Sequence, residues 1–176
     1  LGHLAGDQLL KIIAARLNET VRPEDTVCRL GGDEFVIILD EIRSREDINA
    51  IMNKLFTAMQ QPINIGQRKI NVKTSAGVYT INNPDTDPIF ALKSADLALY
   101  AAKESGKNCY RIFDEDMSRT AEKNFIIEND FERSLNDDEF YLVYQPQISS
   151  KTGELTGFEA LVRWNHRDTD LYPNMF

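Results

Sequence analysis

Arg29-Leu30-Gly31-Gly32-Asp33-Glu34-Phe35 lies between two strand-like apolar runs, residues 26–30 and 34–39, and its reading decides the fold. A Gly-Gly pair at such a junction predicts a tight β-hairpin. Glycine takes the positive φ that a short hairpin turn needs, and it lets a backbone approach a ligand with no side chain in between. Turn geometry alone accounts for the glycines. It does not account for Asp33 and Glu34, because adjacent carboxylates at a strand mouth repel each other unless solvent or a cation compensates them. Hard oxygen donors of this kind suit Mg²⁺, and an ordinary solvated acidic turn is the competing reading.

Working outward, Leu9, Ile12, Ile13 and Leu17 recur at helical spacing and mark an amphipathic helix with Asp7 near its N-terminus. Downstream of the hairpin, Ile48, Ile51, Met52, Leu55 and Met59 predict a second helix that Pro62 stops. Ile70, Val72, Thr74, Ala76 and Val78 alternate as in one strand, which Asn82-Asn83-Pro84-Asp85 breaks. Leu92, Ala95, Leu99 and Ala102 restore helical spacing, Gly106 reads as its C-terminal cap, and residues 109–113 form a short strand. Helix, hairpin, helix, strand, helix, strand predicts an α/β domain over residues 1–113, with a mostly antiparallel central sheet flanked by helices. Residues 114–138 turn charged, with Ile127, Phe131 and Leu135 four apart, and predict a linker helix. Strand-like runs at 140–144 and 158–164 around the turn Lys151-Thr152-Gly153-Glu154 open a second domain over 139–176, too short to close a core of its own.

The chain has 176 residues with 20 Lys and Arg against 28 Asp and Glu, a formal charge of −8. That balance argues against DNA or RNA as a partner and requires any phosphate ligand to be held by local charge. A hydrophobic share of 42% with 27% charged residues excludes a disordered chain. No run approaches the roughly 18 apolar residues of a membrane span, and Leu1 opens without a signal peptide, so a cytoplasmic location is expected. Leu1 and the end at Phe176 suggest a piece of a longer protein, whose upstream part could carry a membrane anchor. Cys28 and Cys109 each sit in an apolar run and read as buried, reduced thiols. His3 and His166 are too isolated to form a pair.

The heptapeptide resembles the signature of the GGDEF family of diguanylate cyclases. Similar blocks accompany it in family order: Leu1-Gly2-His3 through Gly6-Asp7, Ser94-Ala95-Asp96 through Ala98-Leu99-Tyr100, and Ala102-Lys103 through Gly106-Lys107-Asn108. The resemblance implies that two GTP molecules, one on each subunit of a homodimer, are joined into cyclic di-GMP with release of two pyrophosphates and with Mg²⁺ or Mn²⁺ as cofactor. It makes Asp33 a metal ligand and Glu34 an aid to the metal or the attacking hydroxyl, with Gly31 and Gly32 leaving room for nucleotide. Asp7 matches the residue that reads the guanine edge, against a local reading as a helix cap. Lys103 and Lys107 match residues that grip the terminal phosphates, against a local role at the helix dipole. Arg22 and Asp25 match an RxxD site at which cyclic di-GMP inhibits its own synthesis, against a surface ion pair. The family often adds an arginine from the next helix, where this chain offers Asn53 and Lys54.

Tyr144-Gln145-Pro146, Thr152-Gly153 and Phe158-Glu159-Ala160-Leu161-Val162-Arg163-Trp164 resemble the opening of an EAL domain, the phosphodiesterase that hydrolyses cyclic di-GMP to pGpG and is built as an α/β barrel. Strand alternation puts Glu159, Leu161 and Arg163 on one face. The resemblance makes Glu159 a metal ligand and Gln145 and Arg163 substrate contacts. Measured against both families, the chain lacks a first strand with a further aspartate ligand, and the later EAL ligands. The stretch by itself is therefore expected to be inactive and prone to aggregate. The alternative to catalysis is a module that senses GTP or cyclic di-GMP and regulates the EAL domain.

Overall fold

The first helix, α1 (His3–Thr20), begins at Gly2, which occupies the N-cap, so Asp7 lies inside the helix and does not cap it. Strands β1 (Thr26–Gly31) and β2 (Glu34–Ile38) pair antiparallel as the expected hairpin. Helix α2 (Arg45–Gln60) starts at a capping box. The Ser44 hydroxyl accepts from the Asp47 N–H at 3.2 Å, and the Asp47 carboxylate accepts from the Ser44 N–H at 3.1 Å. A second hairpin follows, β3 (Ile63–Ile65) with β4 (Arg68–Ile70), and then β5 (Ala76–Val78), α3 (Pro88–Glu104) and β6 (Tyr110–Ile112). The remainder is α4 (Glu115–Asn136), β7 (Phe140–Ile148), β8 (Leu155–His166) and β9 (Thr169–Leu171). This computed structural model describes residues 2–167 and 169–176, so Leu1 of the first matching block lies outside the described residues.

The strands pair off in small sheets: β1–β2, β3–β4 and β7–β8–β9 are antiparallel, and β5–β6 is parallel. The single strand expected over residues 70–78 divides into β4 and β5. Its alternation is real, but its two ends have different partners. Ile70 pairs back to Ile63 through the turn at Gly66, while Ala76 pairs with Tyr110 from far along the chain.

The chain divides into two compact units, Leu1–Asp114 and Glu115–Phe176. In the first, Ile48, Met52, Leu55 and Met59 form the buried stripe of α2 and meet Leu17 of α1, with Val27, Phe35 and Ile37 of the first hairpin packed against them. The two helices also cap each other. Arg16 of α1 donates to the carbonyls of Ala58, Gln61 and Pro62 at the end of α2, and Lys54 of α2 donates to the Thr20 carbonyl at the end of α1. Carbonyls that lack partners at a helix end are thereby satisfied. Lys54, which stands where the family resemblance leads one to look for a further arginine, has this structural use.

Small residues bring α3 close to β5. Ala98 and Ala102 are fully buried, Ser94 nearly so, and a Cβ added at Gly77 would stand 1.9 Å from the Ala95 carbonyl oxygen. The expectation for Cys28 fails: it is exposed, because strand alternation turns Val27 into the core and Cys28 to the opposite face of a two-stranded sheet. Cys109 is half-buried, and its thiol donates to the Ala102 carbonyl at 3.3 Å.

In the second unit, α4 lays Ile127 and Phe131 against the sheet. Trp164 is fully buried, stacked on Phe140 with centroids 5.0 Å apart and met edge-on by Phe131 at 5.7 Å. Leu135, expected on the same stripe, is exposed, and Ser134 takes the buried position. A spacing of four overshoots the helical repeat by about 40° at each step, so two steps rotate Leu135 off the face. Asp130 of α4 accepts from His166 at 2.7 Å and Arg167 at 2.8 Å, with Arg133 at 3.4 Å. The His166 contact, followed by the two arginines, outweighs the burial that opposes it and holds the Asp130 carboxyl below its ordinary pKa. The Ser134 hydroxyl and the Trp164 indole N–H lower that of Glu139 in the same way.

Candidate functional site

Residue pairing in the first hairpin runs Arg29 to Phe35 and then Gly31 to Glu34, so Leu30 is a bulge and Gly32-Asp33 is the two-residue turn. Gly32 carries the positive φ, +50°. Gly31 does not, and a Cβ added there would meet nothing within 4 Å. Neither backbone strain nor internal packing therefore requires Gly31 to lack a side chain, which fits a ligand passing close to it. Asp33 and Glu34 are both exposed at the tip.

Arg29 holds the turn. Its Nε and Nη2 donate to the Gly32 carbonyl at 3.0 and 2.8 Å, a two-pronged clasp on one oxygen. Arg29 and Phe35 also line a cleft of about 370 Å³ against α1, whose contribution includes Asp7, Lys11 and Asn18. Two cations and one carboxylate make this cleft locally positive in an acidic chain, as a phosphate-bearing ligand requires. Lys11, Asn18 and Arg29 were not singled out by the sequence reading. The signal was present: Asp7, Lys11, Ala14 and Asn18 recur at helical spacing on the polar side of α1.

Lys103 lies in the last turn of α3 and Lys107 beyond its end. The helix stops at Glu104, Gly106 takes φ +108°, and the Lys107 N–H closes back on the Ala102 carbonyl at 3.2 Å, a Schellman closure that makes Gly106 the expected cap. The helix does not persist to Lys107, so the two lysines do not share a helix face as their spacing suggests. Among the described residues no ion pair or hydrogen bond joins either lysine to Asp33 or Glu34.

Asp25 is committed to the backbone. One carboxylate oxygen accepts from the Arg22 N–H at 2.8 Å and the other from the Asp40 N–H at 3.0 Å, tying the loop before β1 to the end of β2. The Arg22 side chain is exposed and makes no ion pair with Asp25 among the described residues, so the surface-pair reading is not what the geometry shows.

In the second unit, Gln145 and Glu159 are direct cross-strand partners, and Tyr141 and Arg163 are another such pair four rungs away. Opposed residues share a face, so Gln145, Glu159 and Arg163 project from one side of β7–β8. The other side carries the exposed apolar residues Leu142, Tyr144 and Phe158.

Among the described residues no cluster of three or more His, Cys, Asp or Glu could hold a metal ion. The donor set at the hairpin is two adjacent carboxylates. That fits Mg²⁺, which is bound through one or two carboxylates while water and substrate phosphates complete its shell.

The family model for the diguanylate cyclase GGDEF domain matches residues 1–109. The chain belongs to the GGDEF family. The EAL-domain model matches residues 128–176, so a GGDEF domain is followed by part of an EAL domain. The chain is 34% identical over 165 residues to the bifunctional diguanylate cyclase/cyclic di-GMP phosphodiesterase MucR of Pseudomonas aeruginosa, covering 94% of this chain and 24% of MucR. It is 35% identical over 166 residues to the cyclic di-GMP phosphodiesterase NbdA of the same organism, covering 94% of this chain and 21% of NbdA. It thus spans about a quarter of the length of the curated relatives it matches. Among solved structures, the GGDEF domain of YfiN (TpbB) from Pseudomonas aeruginosa superposes with a TM-score of 0.65 at 32% identity, over 69% of this chain and 72% of that one. The GGDEF–EAL portion of Vibrio cholerae LapD, bound to cyclic di-GMP, covers 99% of this chain and 41% of its own with a TM-score of 0.60; at 20% identity it shows the fold alone. The match to GGDEF–EAL proteins places this chain in the family of cyclic di-GMP turnover. Among the described residues no helix is long and apolar enough to cross a membrane.

Proposed function

We propose that the GGDEF unit condenses two GTP molecules into cyclic di-GMP and that the EAL unit belongs to a phosphodiesterase acting on that product. The observation that carries the reading is the exposed Asp33–Glu34 turn, clasped by Arg29 beside a cationic cleft that contains Asp7. Asp7 accepts the guanine N–H groups, a task for an acceptor-only side chain. Lys103 and Lys107 attract the terminal phosphates, and Gly31 and Gly32 leave the α-phosphate room to approach the strand. Asp33 and Glu34 hold Mg²⁺ or Mn²⁺, which when bound neutralises phosphate charge and lowers the pKa of a bound hydroxyl. The reaction joins the 3′-hydroxyl of one GTP to the α-phosphorus of the other and expels pyrophosphate, twice per product. Two substrates must therefore face each other, and a homodimer presenting one GTP from each subunit supplies that arrangement. In the EAL unit Glu159 serves as a metal ligand, and Gln145 and Arg163 contact the dinucleotide.

The reading is tested by supplying the whole protein with GTP and Mg²⁺ and following cyclic di-GMP and pGpG. Synthesis of cyclic di-GMP is expected. Nucleotide binding without any product would instead establish a sensing module.

Gly31→Ala separates ligand space from folding. Its stability should stay within about 1 kcal/mol of wild type, because the added methyl meets open space. Synthesis should fall at least about tenfold if the nucleotide passes there; wild-type turnover would show that the space has no such use.

Arg22 serves the inhibitory site in this reading, its guanidinium free to take a phosphate or the guanine Hoogsteen edge in two-pronged fashion. Arg22→Ala should raise the cyclic di-GMP concentration needed for half-inhibition about tenfold or more while leaving uninhibited synthesis unchanged. An unmoved inhibition curve removes Arg22 from that role.

A further inference from the structure

Arg163 of β8 is half-buried, and among the described residues it pairs with no carboxylate. Its Nη1 donates to the Val162 carbonyl at 2.7 Å, and its guanidinium carbon stands 4.7 Å over the centroid of the Tyr172 ring. The acid on β9 that strand alternation places on the same face, Asp170, is engaged elsewhere: it lies beside the hydroxyl of Tyr141, the residue directly across the ladder from Arg163, and raises that phenol's pKa. The Tyr172 ring and the Val162 carbonyl therefore hold the guanidinium, and among the described residues no carboxylate is in ion-pair contact with it.

A ring face takes the flat side of a guanidinium and leaves its edge open, and the edge is where phosphate oxygens accept in-plane N–H groups. Of the five N–H donors, the backbone contact uses one. An arginine on an open strand face loses substantial rotamer freedom when an anion captures it, and a ring beneath it removes much of that cost in advance. Tyr172 is 50% exposed, so it is not a core residue whose truncation leaves a cavity.

We infer that Tyr172 is a positioning residue for Arg163, holding the guanidinium flat so that its edge faces a phosphodiester of a cyclic dinucleotide on the Glu159 face of the sheet. The inference rests on the reading that Arg163 contacts that ligand.

The test titrates the whole protein carrying Arg22→Ala, which removes the inhibitory site from the isotherm, with cyclic di-GMP, comparing this parent with the same protein bearing Tyr172→Leu, Tyr172→Phe or Arg163→Ala, and records the Arg163 Nε–H resonance by NMR without ligand. Tyr172→Leu should weaken binding about three- to tenfold and abolish the ring-current shift of that resonance. Tyr172→Phe should restore both, since the ring face and not the hydroxyl does the work. If Arg163→Ala weakens binding while Tyr172→Leu does not, or if Phe fails to rescue, the positioning role is overturned and the reading of Arg163 stands. If the Arg22→Ala parent does not bind, or Arg163→Ala in that background binds as the parent does, that reading fails and the inference fails with it.

Discussion

Gly77→Ala should destabilise the GGDEF unit by at least about 3 kcal/mol, a large share of the stability of a domain this size. The methyl carbon would stand 1.9 Å from the Ala95 carbonyl oxygen, 2.3 Å from the Leu99 nitrogen and 2.9 Å from the Ala98 carbonyl carbon. All three are backbone atoms of α3, so no rotamer change relieves the overlap. The helix would have to move off β5, uncovering Ala98 and Ala102, both fully buried. Gly77 does not carry a positive φ, so alanine is conformationally acceptable there. Without the overlap, alanine would stabilise by about 0.4–1 kcal/mol through the unfolded chain, and the sign of the change decides the matter. Urea unfolding followed by far-UV circular dichroism is the measurement, and a midpoint at or above wild type contradicts the close packing of α3 on β5.

Asp33→Ala should reduce cyclic di-GMP synthesis by the whole protein at least about a hundredfold, the scale on which one electrostatic contact to a reacting phosphate acts. Its thermal midpoint should hardly move. Asp33 is exposed at the turn, and among the described residues its carboxylate makes no hydrogen bond or ion pair whose loss would unfold the hairpin. Arg29 clasps the Gly32 carbonyl and not the Asp33 side chain, so the turn stays closed in the variant. The pairing of lost turnover with intact folding separates a chemical role from a structural one. Unaltered turnover rejects Asp33 as a metal ligand.

Asp33 and Glu34 stood out by residue type, as adjacent acids at a hairpin tip, and strand alternation set Glu159 and Arg163 on one face, whereas the roles proposed for Arg22, Asp25, Asp7, Lys103 and Lys107 came from the family resemblance. Their partners were less legible. Arg29 stands in the quoted heptapeptide, yet its clasp on Gly32 depends on the bulge at Leu30, which no spacing rule reveals. Lys11 and Asn18 reach the cleft only because α1 lies against β1 and β2. The placement of the Arg163 guanidinium over the Tyr172 ring joins residues on either side of β9.

By itself the sequence determined the order and type of the main elements, the hairpin with its acidic tip, the buried stripe of α2 and the Gly106 cap. These follow from side-chain period and backbone freedom, which a short stretch of chain contains in full. Only tertiary structure decided that residues 70–78 divide between two sheets, that Cys28 faces outward, that α3 ends before Lys107, and that Gly77 must remain glycine. Each depends on which distant segment lies alongside, and local periodicity carries the face a residue takes but not the partner that face will meet.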